Sequence, residues 1–115
     1  MSDLITKLET ENFASKITKG ASVASFNTIT ATRSSNTITI SFLADFGTAP
    51  ATGVTIATIP TGYRAKGIQR VPAITYDGSA NNYVGAIAIM GTDGLVLVQG
   101  NPVRRYLAAT LTYQI

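Results

Sequence analysis

The stretch Val54–Lys66, VTIATIPTGYRAK, decides how the chain is read. Val54 and Ile56 alternate with Thr55, the period of two that puts successive side chains on opposite faces of a β-strand. The strand has to stop at Pro60, which has no N–H for a ladder bond, and Gly62 tolerates the positive φ of the turn that follows. Tyr63, Arg64 and Lys66 come just beyond that turn. The reading makes this the central strand, with others packed on it.

Working outward, Thr37–Phe42 alternates cleanly, Ile38, Ile40 and Phe42 against Thr37, Thr39 and Ser41, as a half-buried antiparallel strand does. Upstream, 23–26 and 28–31 read as short strands before a turn at 33–36. Downstream, Gly67–Tyr76 contains Pro72, which implies an edge position or a break. Tyr83–Met90 is apolar on both faces and reads as a strand covered on both sides. Asp93-Gly94 supplies the positive φ of a tight hairpin into Leu95–Gln99, and Leu107, Ala109, Leu111 and Tyr113 alternate in a closing strand. Short strands at regular spacing predict an all-β chain, a compact antiparallel β-barrel or β-sandwich.

The one helical pattern lies at the N-terminus. Ser2 suits a cap, Asp3 the positive end of the dipole, and Leu4, Ile5 and Leu8 recur at helical spacing. A short helix is expected over Ser2–Glu11, within an N-terminal segment 1–18 that precedes a β domain over 19–115. At such length it needs a partner, the barrel or further copies of itself.

The bulk composition narrows the chemistry. With 115 residues the chain fits one domain. It is 45% hydrophobic and only 13% charged, about half the usual charged share. Such a chain, rich in Thr, Ala, Ile and Val, fits a β protein that covers part of its surface with copies of itself; a monomer with a Thr/Ser/Asn surface is the alternative. Cysteine and histidine are both absent, which removes disulfides, thiolate metal sites, the usual triad base and the commonest zinc ligand. No metal and no cofactor is expected. The net charge is +3 and its basic residues are scattered apart from Arg64, Lys66 and Arg70 and the pair Arg104-Arg105, so a nucleic-acid partner is not expected. The opening MSDLITKLETEN carries acids and no long apolar run, and reads as neither a secretory signal nor a membrane span.

The exit IPTGYRAKG, the hairpin AIAIMGTDGLVLVQGN and the closing YLAATLTYQI together resemble the head domains of receptor-binding proteins from tailed phages of Gram-positive bacteria, lactococcal siphophages especially. The resemblance covers roughly Thr37–Ile115. It implies a non-enzymatic antiparallel β-barrel head that trimerises at the virion tail tip and binds saccharide or phosphosaccharide of the host cell wall. The N-terminal segment would attach the head to other baseplate or tail proteins. It further implies a virion protein made in the host cytoplasm and released by lysis. A structural virion protein that bridges or decorates without touching receptor is the alternative.

No binding residue follows from the resemblance by position, so candidates come from chemistry. Sugar hydroxyls need fixed donors and acceptors, and sugar faces stack on aromatic rings. Tyr76, Asp77, Asn81, Asn82 and Tyr83 gather these groups on one turn. Arg104 and Arg105, followed by Tyr106, and the Tyr63-Arg64 pair are the candidates for gripping a phosphate. The same arginines could instead pair with Asp45 or Asp93. An enzyme such as a glycan hydrolase needs two carboxylates roughly 5–10 Å apart, and beyond the N-terminal segment the chain offers only Asp45, Asp77 and Asp93.

Overall fold

The computed structural model describes residues 10–50, 53–78, 83–100 and 103–115. Its strands are β1 (Thr10–Asn12), β2 (Thr18–Lys19), β3 (Ser25–Ser34), β4 (Thr37–Asp45), β5 (Thr55–Thr58), β6 (Gln69–Tyr76), β7 (Val84–Met90), β8 (Leu95–Gln99) and β9 (Tyr106–Gln114), with one 3-10 turn at Ala14–Lys16. They form one antiparallel sheet in the order β1-β3-β4-β9-β6-β7-β8-β5-β2.

The connectivity makes this sheet curl. Laid flat, nine strands would span about 38 Å, at about 4.8 Å per spacing. The two outermost strands, β1 and β2, are joined by residues 13–17 alone, a link that reaches at most about 21 Å. The edges therefore bend toward each other into a half-barrel, and Phe13 of the link is wholly buried in the core. Inward residues follow the period of two: Ile38, Ile40, Phe42 and Ala44 from β4, Leu107, Ala109, Leu111 and Tyr113 from β9, and Ala86, Ala88 and Met90 from β7.

Several expectations are corrected. The strand of Val54–Lys66 is not central: β5 is four residues long and lies between β8 and the two-residue β2, while β4, β9 and β6 occupy the middle. Of the expected N-terminal helix, residues 2–9 lie outside those described, and Thr10 and Glu11 pair with Ser34 and Arg33 as strand. The β3 ladder meets their backbone groups, where a helix of this length had no support. The two short strands expected upstream are one strand, β3, with a bulge at Asn27. β7 is covered on one side only, since Ile87 is 43% exposed.

Other expectations hold. The exit from β5 turns as its residues require, with the Tyr63 N–H donating to the Pro60 carbonyl at 3.2 Å and Gly62 at φ 98°. Gly94 takes φ 82° in the β7–β8 hairpin. Pro72 pairs with Ile87 of β7, whereas the β6–β9 ladder begins only at Ala73, so the residue without an N–H sits where one side of β6 is unpaired.

Candidate functional site

Register across the middle of the sheet sets a row of side chains along one rim. Asp45, the last residue of β4, faces Tyr106, the first of β9. Tyr106 faces Tyr76, the last residue of β6. Thr75 pairs with Val84, which brings Tyr83, one residue before β7, alongside Tyr76. Ala44, Leu107 and Thr75 point inward and are buried, so the row lies on the outer face.

The rings stack. Tyr76 and Tyr106 have centroids 5.2 Å apart at 22°, and Tyr76 and Tyr83 are 5.0 Å apart at 43°. The Arg105 guanidinium sits 4.9 Å from the Tyr106 centroid, within cation–π range. The order is thus Arg105, Tyr106, Tyr76, Tyr83, and the terminal ring, Tyr83, is 61% exposed. Gly78 packs against this stack at φ 77°, and a Cβ there would lie 2.8 Å from Tyr106 Cε2. Only glycine permits that backbone approach.

Charge pairs hold the stack in place. Arg105 grips Asp45 with a fork, Nε to Oδ1 at 3.0 Å and Nη2 to Oδ2 at 3.2 Å. Asp45 also accepts the Gly47 N–H at 2.7 Å. The Arg105 bond, then the Gly47 N–H, hold its carboxyl below the usual range, and Asp45 in turn raises the Arg105 guanidinium further above its ordinary value. Arg104 Nη1 donates to Asp77 Oδ2 at 3.1 Å, and the Arg105 N–H to Asp77 Oδ1 at 3.4 Å. Beneath them Thr75, wholly buried, donates to the Tyr106 carbonyl at 2.8 Å and accepts the Arg104 N–H at 2.7 Å. That hydroxyl ties β6 to the bend that aims both arginines.

Farther along the outer face comes the cross-strand row Leu43, Ala108, Ile74 and Gly85, then the separate pairs Ser41–Thr110 and Pro72–Ile87. They border a shallow groove of about 320 Å³ lined by Ser41, Pro72, Ile74, Ala108 and Thr110 among others. The Ser41 and Thr110 hydroxyls are hydrogen-bonded to each other at 3.0 Å.

The fold thus gathers Tyr76, Asp77, Tyr83, Arg104, Arg105 and Tyr106 at one rim, with Arg105 on Asp45 as one of the pairings weighed above. Asn81 and Asn82 lie outside the described residues. Tyr63 and Arg64 are elsewhere. The Tyr63 ring is buried against Phe13, centroids 4.1 Å apart, and its hydroxyl donates to Glu11, while Arg64 Nε donates to the Ile59 carbonyl at 2.9 Å. Neither side chain serves the tyrosine rim. Thr75 was missed as the anchor of the site. Its one signal in the sequence is a hydroxyl in the inward phase of β6, two residues after Ala73.

The arrangement offers flat apolar ring faces beside fixed hydrogen-bonding groups, and among the described residues the three tyrosine hydroxyls have no protein partner. Among the same residues no cluster of three or more acids could hold a metal ion, and no helix is long and apolar enough to cross a membrane. Compared with protein-family models and with curated proteins, the chain matches none.

Proposed function

We propose that this chain is a non-enzymatic saccharide-binding head, which in the setting implied by its phage-head resemblance binds host cell-wall saccharide as a homotrimer at a virion tail tip. The observation that carries the reading is the outer-face stack of Tyr106, Tyr76 and Tyr83, backed by Arg105 and ending in the exposed Tyr83 ring. A rigid aromatic face with one side open to solvent suits the apolar face of a sugar ring, and the neighbouring carboxylates, guanidinium edges and phenols suit its hydroxyls. Catalysis has little support here. A glycoside hydrolase needs a carboxylic acid whose pKa is raised, whereas Asp45 is lowered by Arg105 and Asp77 is bonded to Arg104.

The test is binding of fluorescently labelled protein to Gram-positive cells and to their extracted wall polysaccharides, with Tyr83→Ala beside the wild type. Tyr83 is exposed, so its removal leaves folding intact and weakens binding at least tenfold. Binding that Tyr83→Ala leaves unchanged refutes the assigned platform. The trimer is read from light scattering, as a species of three times 12.1 kDa that persists on dilution.

A structural virion protein without receptor contact is the second reading. It is favoured by the exposed apolar side chains Ile68, Ile74 and Ile87, which fit contact with protein better than contact with sugar. Wall material that never binds the chain, together with a chain that assembles with tail proteins, would select it.

A further inference from the structure

Resting on the saccharide-binding reading, we infer that the tyrosine rim selects an uncharged saccharide over a phosphorylated or otherwise anionic one. Each arginine of the rim is paired with a carboxylate, and Arg104 Nε alone among the described residues is buried without a partner. The Arg105 fork is closed on both oxygens of Asp45, and Arg104 donates to Asp77. A phosphate arriving here meets guanidiniums whose charge a carboxylate already neutralises. Any bond it makes to them sets it beside Asp45 or Asp77, so two anions are left close together. Lys19, the other cation at this end of the sheet among the described residues, donates its ammonium to the Val23 carbonyl at 2.8 Å.

The rest of the rim brings no charge to change this balance. Among the described residues, the connections at this end of the sheet, residues 20–24, 46–50, 53–54, 78, 83, 100 and 103, contain no Lys, Arg, Asp or Glu. The groove that continues from the tyrosines is lined by Ser, Thr, Ala, Pro, Phe and Ile only. Among the described residues, the positive excess sits at the opposite end, where Lys16, Arg33, Arg64, Lys66 and Arg70 face Glu11 and Asp93. An anionic ligand is drawn to that end. The tyrosine rim keeps its arginines as props for Tyr106 and offers incoming sugar ring faces and neutral hydrogen bonds.

The experiment uses the full chain on an array of neutral oligosaccharides, each printed with and without a phosphate monoester, followed by calorimetry on the best neutral member. The expected result is binding to neutral members, no tighter binding to their phosphorylated counterparts, and an affinity that changes less than about twofold between about 50 and 500 mM NaCl. Tyr83→Ala abolishes this binding. A phosphorylated counterpart bound about tenfold tighter, with the gain lost in Arg105→Gln, overturns the inference while leaving the saccharide reading in place. Binding to no member, neutral or phosphorylated, overturns both.

Discussion

Replacing Thr75 by valine removes one hydroxyl and tests whether that hydroxyl builds the site. Thr75 is wholly buried, donates to the Tyr106 carbonyl at 2.8 Å and accepts the Arg104 N–H at 2.7 Å. Valine keeps the shape and leaves both backbone groups without this partner, at about 1–3 kcal/mol each. The methyl that takes the hydroxyl's place returns about 0.8 kcal/mol of apolar burial. The net expectation is a loss of about 1–5 kcal/mol, which at this chain length lowers Tm by roughly 4–25 °C. Thr75→Ser is the control. It keeps both bonds and loses one buried methyl, a cost of about 1 kcal/mol. Urea unfolding followed by far-UV circular dichroism gives the two differences, and near-UV dichroism reports whether the tyrosine stack stays ordered. Thr75→Val matching or exceeding Thr75→Ser in stability would refute the account of Thr75 as the tie between β6 and the arginine bend.

Three further outcomes follow from the same geometry. Phe13→Ala empties a wholly buried position stacked on Tyr63 and is expected to cost about 3–5 kcal/mol; a urea midpoint shift worth less than about 1 kcal/mol would mean that the 13–17 link does not close the barrel. Gly78→Ala forces a Cβ toward the Tyr106 ring at a backbone φ of 77°, so about 1–2 kcal/mol of stability is lost to the left-handed conformation alone, and saccharide binding falls with the displaced stack; unchanged near-UV dichroism would contradict this. Asp45 is held below its ordinary pKa chiefly by Arg105, so its stabilising contribution is complete above the unfolded carboxylate pKa of about 3.9 and is lost as pH falls through the lower native value. The stability gap between wild type and Asp45→Asn is therefore constant from neutral pH to about pH 5 and closes below about pH 4. A gap independent of pH down to pH 3 would show that the Asp45–Arg105 charge pair contributes nothing.

Much of the fold was legible because strand signals are local. The alternation of Ile38, Ile40 and Phe42 with threonines and serine, the stop at Pro60 and the Asp93-Gly94 turn each depend on residues a few positions apart. A backbone without an N–H, or one that needs positive φ, constrains the chain wherever it is placed. β7 misled for the same reason. Its two apolar faces are a property of the segment, but whether the outer one is covered depends on what packs there, and in this chain Ile87 is left 43% exposed.

The site was legible only in its ingredients. The residues of the 76–83 turn and the 104–106 bend could be picked out by their chemistry, yet nothing in the sequence says that they meet. That depends on the β6–β9 register, which sets Tyr76 opposite Tyr106, and on β4–β9, which sets Asp45 there as well. A slip of one residue in either ladder would turn these side chains to the other face. Sequence by itself determined the strands and their turns, because period, proline and glycine act through the local backbone. Only the tertiary structure decided that Arg105 and the three tyrosines form one stack and that Tyr63 is a core residue, because pairing between strands distant along the chain sets which side chains share a rim.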